Sequence, residues 1–245
     1  MSDLQKEKNL NNSNTRDIWN FAIGSNLHPK KLKGRANLII KESKPGILKD
    51  WRLAFNLRGI SWLEPSMAGV EPAPGDEVHG VLLRMSQEEF RKLVLSEGEN
   101  HAYQQVEVEI ETYRGEKQNA LAFSALDSRK MQEDRPPSLR YLELIRTGAR
   151  LSGLNQSYIK RLDAIPHFEK GPLTKLISHL LFDMMMFFGG IGIPQISTRL
   201  FRTLRWIDAS VIPGGFKWFM NIFLLTPALL LAAILSLRHK IHPKS

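Results

Sequence analysis

The spacing of apolar positions divides the chain into three stretches. Residues 1–16 are polar, rich in Asn, Lys and Glu, and predict a disordered start. They hold no apolar h-region, so no secretory signal peptide is expected. Residues 17–168 carry short apolar runs and periodic stretches with turn residues between them, the pattern of one α+β domain. Residues 169–245 are dominated by much longer apolar runs.

Within the domain, Trp19 to Ile23 is a short apolar strand ending at Gly24-Ser25-Asn26. Ala36 to Lys41, Trp51 to Leu57 and Val78 to Arg84 predict further strands, with Pro65 to Gly75 as a loop between strands. Val106, Val108 and Ile110 alternate with Glu107, Glu109 and Glu111, the period of a half-buried strand. Asn119 to Leu126 can pair with it across Arg114-Gly115. Three helices are expected. Ser86 and Glu89 form a capping box for a helix ending at Gly98. Ser138 to about Leu151 is the second, and Asn155 to Ile165, closed by Pro166, the third.

In the tail, Trp218 to Leu237 is a 20-residue run without a charge. As a helix it spans about 30 Å, the thickness of a bilayer's hydrocarbon core, and predicts a transmembrane helix over 218–237. Pro227 would kink it but is tolerated in membrane helices. Leu176 to Ile193 is a weaker second run, interrupted by His179, Asp183 and three glycines. It equally fits a buried extension of the domain. Arg199, Arg202 and Arg205 beside Leu200, Phe201 and Leu204 form a basic amphipathic stretch suited to anionic lipid. Met184 to Phe188 is apolar packing or lipid contact.

Charge follows the same division. The chain has 245 residues with 34 Lys+Arg and 25 Asp+Glu, and residues 173–245 hold eight Lys/Arg against two Asp/Glu. A basic and very apolar tail points to membrane lipid rather than to nucleic acid, for which the sequence carries no motif. The expected location is membrane-associated, with the domain on the cytosolic side. Cysteine is absent, which removes disulfides, thiol nucleophiles and Cys-ligated metals.

Candidate chemistry begins at Gly24-Ser25-Asn26-Leu27. Glycine admits a left-handed backbone, and successive N–H groups of such a turn can form an anion-binding nest. The same tripeptide alone also fits an ordinary turn. Ser96-Glu97-Gly98 places a carboxylate at a helix C-terminus, where the dipole disfavours its charged form and suits a general base. A solvated Glu on a frayed turn fits the same residues. His28, Lys30, Lys31 and Lys33 form a basic patch, either a solvated helix start or a recruiter of acidic substrate. His101 could tune Glu97 or sit on a surface loop. Glu107, Glu109 and Glu111 on one strand face usually face water rather than a metal.

In this order the pieces resemble the γ-glutamylcyclotransferases. Phe21-Ala22-Ile23-Gly24-Ser25-Asn26-Leu27 is similar to the family's "FAYGSNL", and Gly75 to Val81 to its "GDEVWGVVY" strand. Met85 to Gly98 resembles the helix that carries the catalytic glutamate, and Ala102-Tyr103 the piece that follows. Pro136-Pro137-Ser138 with Tyr141 and Gly148-Ala149 resembles "PPS..Y…GA". Gly153-Leu154, Tyr158 and Leu162 to Ile165 resemble "GLP.EY…L.AI". The resemblance runs from about Ile18 to His167 and leaves the tail outside. Ile23 replaces the family's tyrosine, and His79 its aromatic after Val78.

The resemblance implies an α+β fold, a mixed β-barrel with flanking helices, and no metal or organic cofactor. It implies a lyase that closes a γ-glutamyl amide to 5-oxoproline, with Glu97 as general acid/base. It places substrate binding on Asn20, Phe21, Ala22, Ile23, Gly24, Ser25 and Asn26, with Tyr141 as a further contact. The substrate partner would be a small γ-glutamyl amino acid, peptide or glutathione conjugate. A γ-glutamylamine-type cyclotransferase and a non-catalytic membrane-held binding module of the same fold remain as alternatives.

Overall fold

The structure, a computed structural model, describes residues 17–36, 38–96, 102–172, 174–175 and 203. Two compact units divide the chain, residues 1–58 with 65–168 and residues 59–64 with 169–245. The first is a mixed α+β unit built on a closed barrel of five strands. These are β1 (Ile18–Ala22), β2 (Glu42–Ile60), β3 (Glu64–Met85), β4 (Tyr103–Thr112) and β5 (Lys117–Ala125). Among the described residues four α-helices accompany them: α1 (Pro29–Ala36), α2 (Gln87–Ser96), α3 (Leu139–Leu151) and α4 (Gln156–Asp163).

Strand order around the barrel is β1-β3-β2-β4-β5. β1 runs antiparallel to β3, from Ile18 opposite Met85 to Ala22 opposite Val81. A short parallel contact, Asn20 opposite Leu121, closes the barrel between β1 and β5. β4 and β5 form the expected hairpin, from Tyr103 opposite Ala125 to Glu111 opposite Lys117. Its turn contains Gly115 at φ 83, a left-handed position suited to glycine. Val108 and Ile110 are buried while Glu107 and Glu109 are exposed, as the alternation requires. Phe21, Leu48, Leu82, Met85, Leu93, Leu142, Ile145 and Leu162 join strands and helices in one core.

Two readings of the sequence are corrected. Pro65 to Gly75 is not a loop but part of β3. Proline's fixed φ fits extended backbone, and only its missing N–H opposes a strand. Pro72 and Pro74 are two residues apart, so both missing donors fall on the same side of the strand. Ala36 to Lys41 is not a strand. Residues 29–36 are helical, begun by Pro29 at the first helical position, and residues 38–40 are irregular. The Ile39 N–H is satisfied by the Glu89 carboxylate at 3.0 Å, and the Lys41 N–H by the Arg84 carbonyl at 2.8 Å. An apolar run whose backbone finds such partners does not need a ladder.

The same bond alters the capping box. Ser86 Oγ accepts the Glu89 N–H at 3.3 Å, but the Glu89 carboxylate turns to Ile39 and to Lys92 at 2.8 Å. Residues 1–16, Glu97, Gly98, His101 and the apolar runs 176–193 and 218–237 lie outside the described residues. Among the described residues no helix is long and apolar enough to cross a membrane.

Candidate active site

A tight 3-10 turn over Gly24–Leu27 follows β1, and all four residues are buried. Gly24 has φ 60, in the left-handed region. It also has little room: a Cβ there would lie 3.1 Å from Ala68 Cβ and 3.3 Å from Tyr141 Oη. The Asn26 N–H closes the turn on the Ile23 carbonyl, and the His28 N–H on the Ser25 carbonyl, both at 3.3 Å.

The wall opposite the turn is Ala68 of β3, held by two phenols. Tyr141 Oη accepts the Ala68 N–H at 3.1 Å, and Tyr103 Oη donates to the Ala68 carbonyl at 3.0 Å. Tyr141 is itself placed by a cap. Buried Ser138 precedes α3, and its Oγ accepts the Tyr141 N–H at 3.2 Å. The Pro136-Pro137-Ser138 stretch thus starts a helix and aims its third residue at Ala68. Gly148, farther along α3, lets that helix press on the Leu27–His28 backbone.

Not every expected residue gathers here. Gly24, Ser25 and Tyr141 do. Phe21 is fully buried in the core, where its ring lies against Gly80. A Cβ on Gly80 would lie 2.6 Å from the Ala22 carbonyl, so the backbones of β1 and β3 are in close contact. Ile23 is a core side chain. Asn20 Nδ2 donates to the Leu121 carbonyl at 2.8 Å across the barrel seam, and Asn26 is buried within the turn. Glu97 follows directly on Ser96, the last residue of α2, whose hydroxyl donates to the Leu93 carbonyl at 2.7 Å.

Two residues here were not singled out from sequence, Ala68 and Tyr103, and Lys31 was named there only within a basic patch. Tyr103 stands in a motif piece, but nothing in its spacing announces a bond to Ala68. Lys31 of α1 brings its ammonium onto Ser25 Oγ and lies 5.7 Å from the Tyr141 ring centroid. The basic patch therefore is not wholly a solvated face.

Other candidates resolve into structure. His79 is buried, with Nδ1 2.6 Å from Tyr113 Oη and Nε2 3.0 Å from Glu77 Oε1. Its ring stacks on Tyr158 at 4.5 Å. Burial pushes the Tyr158 phenol well above its usual range. Glu109 pairs with Lys117 at 2.7 Å and Glu111 with Lys49 at 2.6 Å.

A closed five-stranded barrel with a buried Gly-Ser-Asn turn facing a helix-borne tyrosine defines the class, an α+β barrel with a turn-built site. Residues 77–162 match the AIG2-like family. The chain is 32% identical over 193 residues to γ-glutamyl cyclotransferase gliK of Aspergillus fumigatus, covering 68% of this chain and 69% of that protein. It is 30% identical to the γ-glutamylcyclotransferase of Bos taurus, covering 66% of this chain and 86% of the bovine one. A solved γ-glutamyl cyclotransferase structure superposes with a TM-score of 0.54 at 25% identity, covering 67% of this chain and 99% of that one. The chain belongs to the γ-glutamylcyclotransferase family and is an enzyme of it.

Proposed function

We propose that this enzyme cyclises a γ-glutamyl amide to 5-oxoproline and releases the amine, at the Gly24–Asn26 turn. The observation that carries the reading is the left-handed Gly24, where a side chain would be strained by the backbone and crowded by Ala68 and Tyr141. Such a turn lets a substrate approach the backbone closely. Family membership and the retained Glu97 support it.

A γ-glutamyl amide carries its own nucleophile, so no covalent enzyme intermediate is required. The α-ammonium gives a proton to the Glu97 carboxylate, and the freed nitrogen attacks the γ-carbonyl carbon. A five-membered ring closes and the bond from that carbon to the leaving nitrogen breaks. Glu97 returns its proton to the departing amine, and the second proton shed by the ring nitrogen as the lactam forms is taken up by the same amine, which leaves as its ammonium. The Asn26 N–H is committed to Ile23, so the developing oxyanion is assigned to the Gly24 and Ser25 N–H groups. Tyr141 and the backbone of residues 20–25 hold the glutamyl part in attack geometry. Ile23, in place of the family's tyrosine, removes a hydroxyl beside this loop and bears on which leaving amine is accepted.

The uncharged run 218–237 supports a second part of the proposal, that the tail holds the enzyme at a membrane. An apolar γ-glutamyl conjugate would suit an enzyme so placed.

The test is 5-oxoproline release from γ-glutamyl amino acids, a glutathione conjugate and a γ-glutamyl alkylamine, with Glu97→Gln beside the wild type. Release abolished in Glu97→Gln is expected. Unchanged release in that variant removes Glu97 from the mechanism. A preference for the alkylamine moves the assignment to a γ-glutamylamine cyclotransferase. Recovery of the chain in the alkaline-washed membrane fraction tests the tail, and recovery in the soluble fraction overturns that part.

A further inference from the structure

Positive charge stands at the turn, and the reaction as written does not use it. Lys31 reaches from α1 to the Ser25 hydroxyl oxygen. Its ammonium also lies 5.7 Å from the centroid of the Tyr141 ring, a cation–π distance. An ammonium only donates, so Ser25 Oγ accepts from it and the Ser25 O–H is left to donate elsewhere. The Tyr141 ring is a fixed platform, because its hydroxyl is tied to the Ala68 N–H at 3.1 Å and its own N–H to Ser138. One cation and one hydroxyl donor therefore meet at the buried turn, beside the left-handed Gly24.

That combination recognises an anion. A γ-glutamyl group carries one, its α-carboxylate, on the same carbon as the amine that must attack. We propose that Lys31 binds the α-carboxylate of the glutamyl group, with the Ser25 hydroxyl as second donor, and so restricts the enzyme to γ-glutamyl compounds whose α-carboxylate is free. The inference rests on the proposed cyclisation and names what the same site selects. Fixing the carboxylate fixes the Cα to which the nucleophilic nitrogen is attached. Neutralising it also removes a negative charge that otherwise holds the proton on the neighbouring ammonium.

The experiment compares a γ-glutamyl amino acid with the same compound carrying an α-carboxamide, in wild type, Lys31→Met and Lys31→Arg. Methionine keeps an unbranched stem over the Tyr141 ring and removes the charge. Calorimetry with 5-oxoproline and 5-oxoprolinamide gives a readout that needs no turnover. Wild type is expected to favour the free carboxylate by about 10- to 100-fold, the worth of a charge-assisted hydrogen bond. Lys31→Met loses that preference, chiefly through KM, and Lys31→Arg recovers part of it. A Lys31 that only supports the turn lowers both substrates alike and leaves their ratio unchanged, which overturns the inference while the cyclisation stands. Should wild type release no cyclic product, the reaction reading fails and calorimetry decides alone. A 5-oxoproline preference lost in Lys31→Met upholds the carboxylate site, and equal or absent binding overturns it.

Discussion

Replacing Gly148 with alanine sets two opposing effects against each other. Alanine is the better helix former by about 1 kcal/mol, so an α3 free of neighbours would gain stability. The structure predicts the opposite sign. A Cβ at position 148 would lie 2.6 Å from the Leu27 carbonyl carbon and 2.7 Å from the His28 nitrogen and Leu27 Cβ. Ordinary contact begins near 3.4 Å, so the shortfall is 0.7–0.8 Å. Two of those atoms are backbone and cannot rotate away, so helix or turn must move. Ser152 Oγ donates to the Leu27 carbonyl at 3.4 Å, and this contact would loosen with it. Overpacking costs up to about 3 kcal/mol, which leaves a net loss of about 2 kcal/mol after the propensity gain. In urea that loss moves the unfolding midpoint down by about 1 M at unchanged slope. The turn carries the proposed substrate donors, so KM should rise as well. A midpoint that stays or climbs, with intact activity, would refute the close approach of α3 to the turn.

Other expectations follow from the same contacts. Tyr141→Phe leaves the buried Ala68 N–H without its acceptor and should cost about 1–3 kcal/mol in the same denaturation assay. Combined with Tyr103→Phe, which removes the donor to the Ala68 carbonyl, the loss should be non-additive, and strict additivity would argue against a shared anchor. Arg146 donates to the carbonyls of Leu162, Asp163 and Ile165 at 3.1, 2.8 and 3.1 Å, so Arg146→Met should unfasten the end of α4 and show as faster amide exchange there. Lys92, and then the Ile39 N–H, hold the Glu89 carboxyl below its ordinary 4.5. Its contribution is therefore full above pH 4.5 and is lost as pH falls through the lower folded value. Glu89→Gln should flatten the acid limb of the stability–pH curve, and an unchanged limb contradicts that pairing.

The elements that sequence patterning finds are those whose signals are local. The alternation of Val106, Val108 and Ile110 with three glutamates, the cap at Ser138 and the turn at Gly115 each lie within a few residues, and each is present. Failures come where a distant partner decides. Pro72 and Pro74 argue against a strand, yet their fixed φ suits extended backbone and both missing donors fall on one side of it. The apolar run from Leu38 is diverted from a ladder by Glu89, fifty residues away. The site divides in the same way. The Gly24-Ser25-Asn26 turn and Tyr141 are legible as motif pieces. Ala68 is an unremarked alanine whose backbone binds two phenols 35 and 73 residues distant. Lys31 falls among several lysines, and only folding selects it for Ser25.

The central claim is that the chain closes a γ-glutamyl amide on itself, and one experiment separates this from hydrolysis. The full chain in detergent is given a γ-glutamyl amino acid in water enriched in heavy oxygen, and products are read by mass spectrometry. Intramolecular attack predicts 5-oxoproline with no heavy oxygen, together with the free amine in equal amount. Glutamate carrying heavy oxygen in its γ-carboxylate would mean that water is the nucleophile, and would contradict the account.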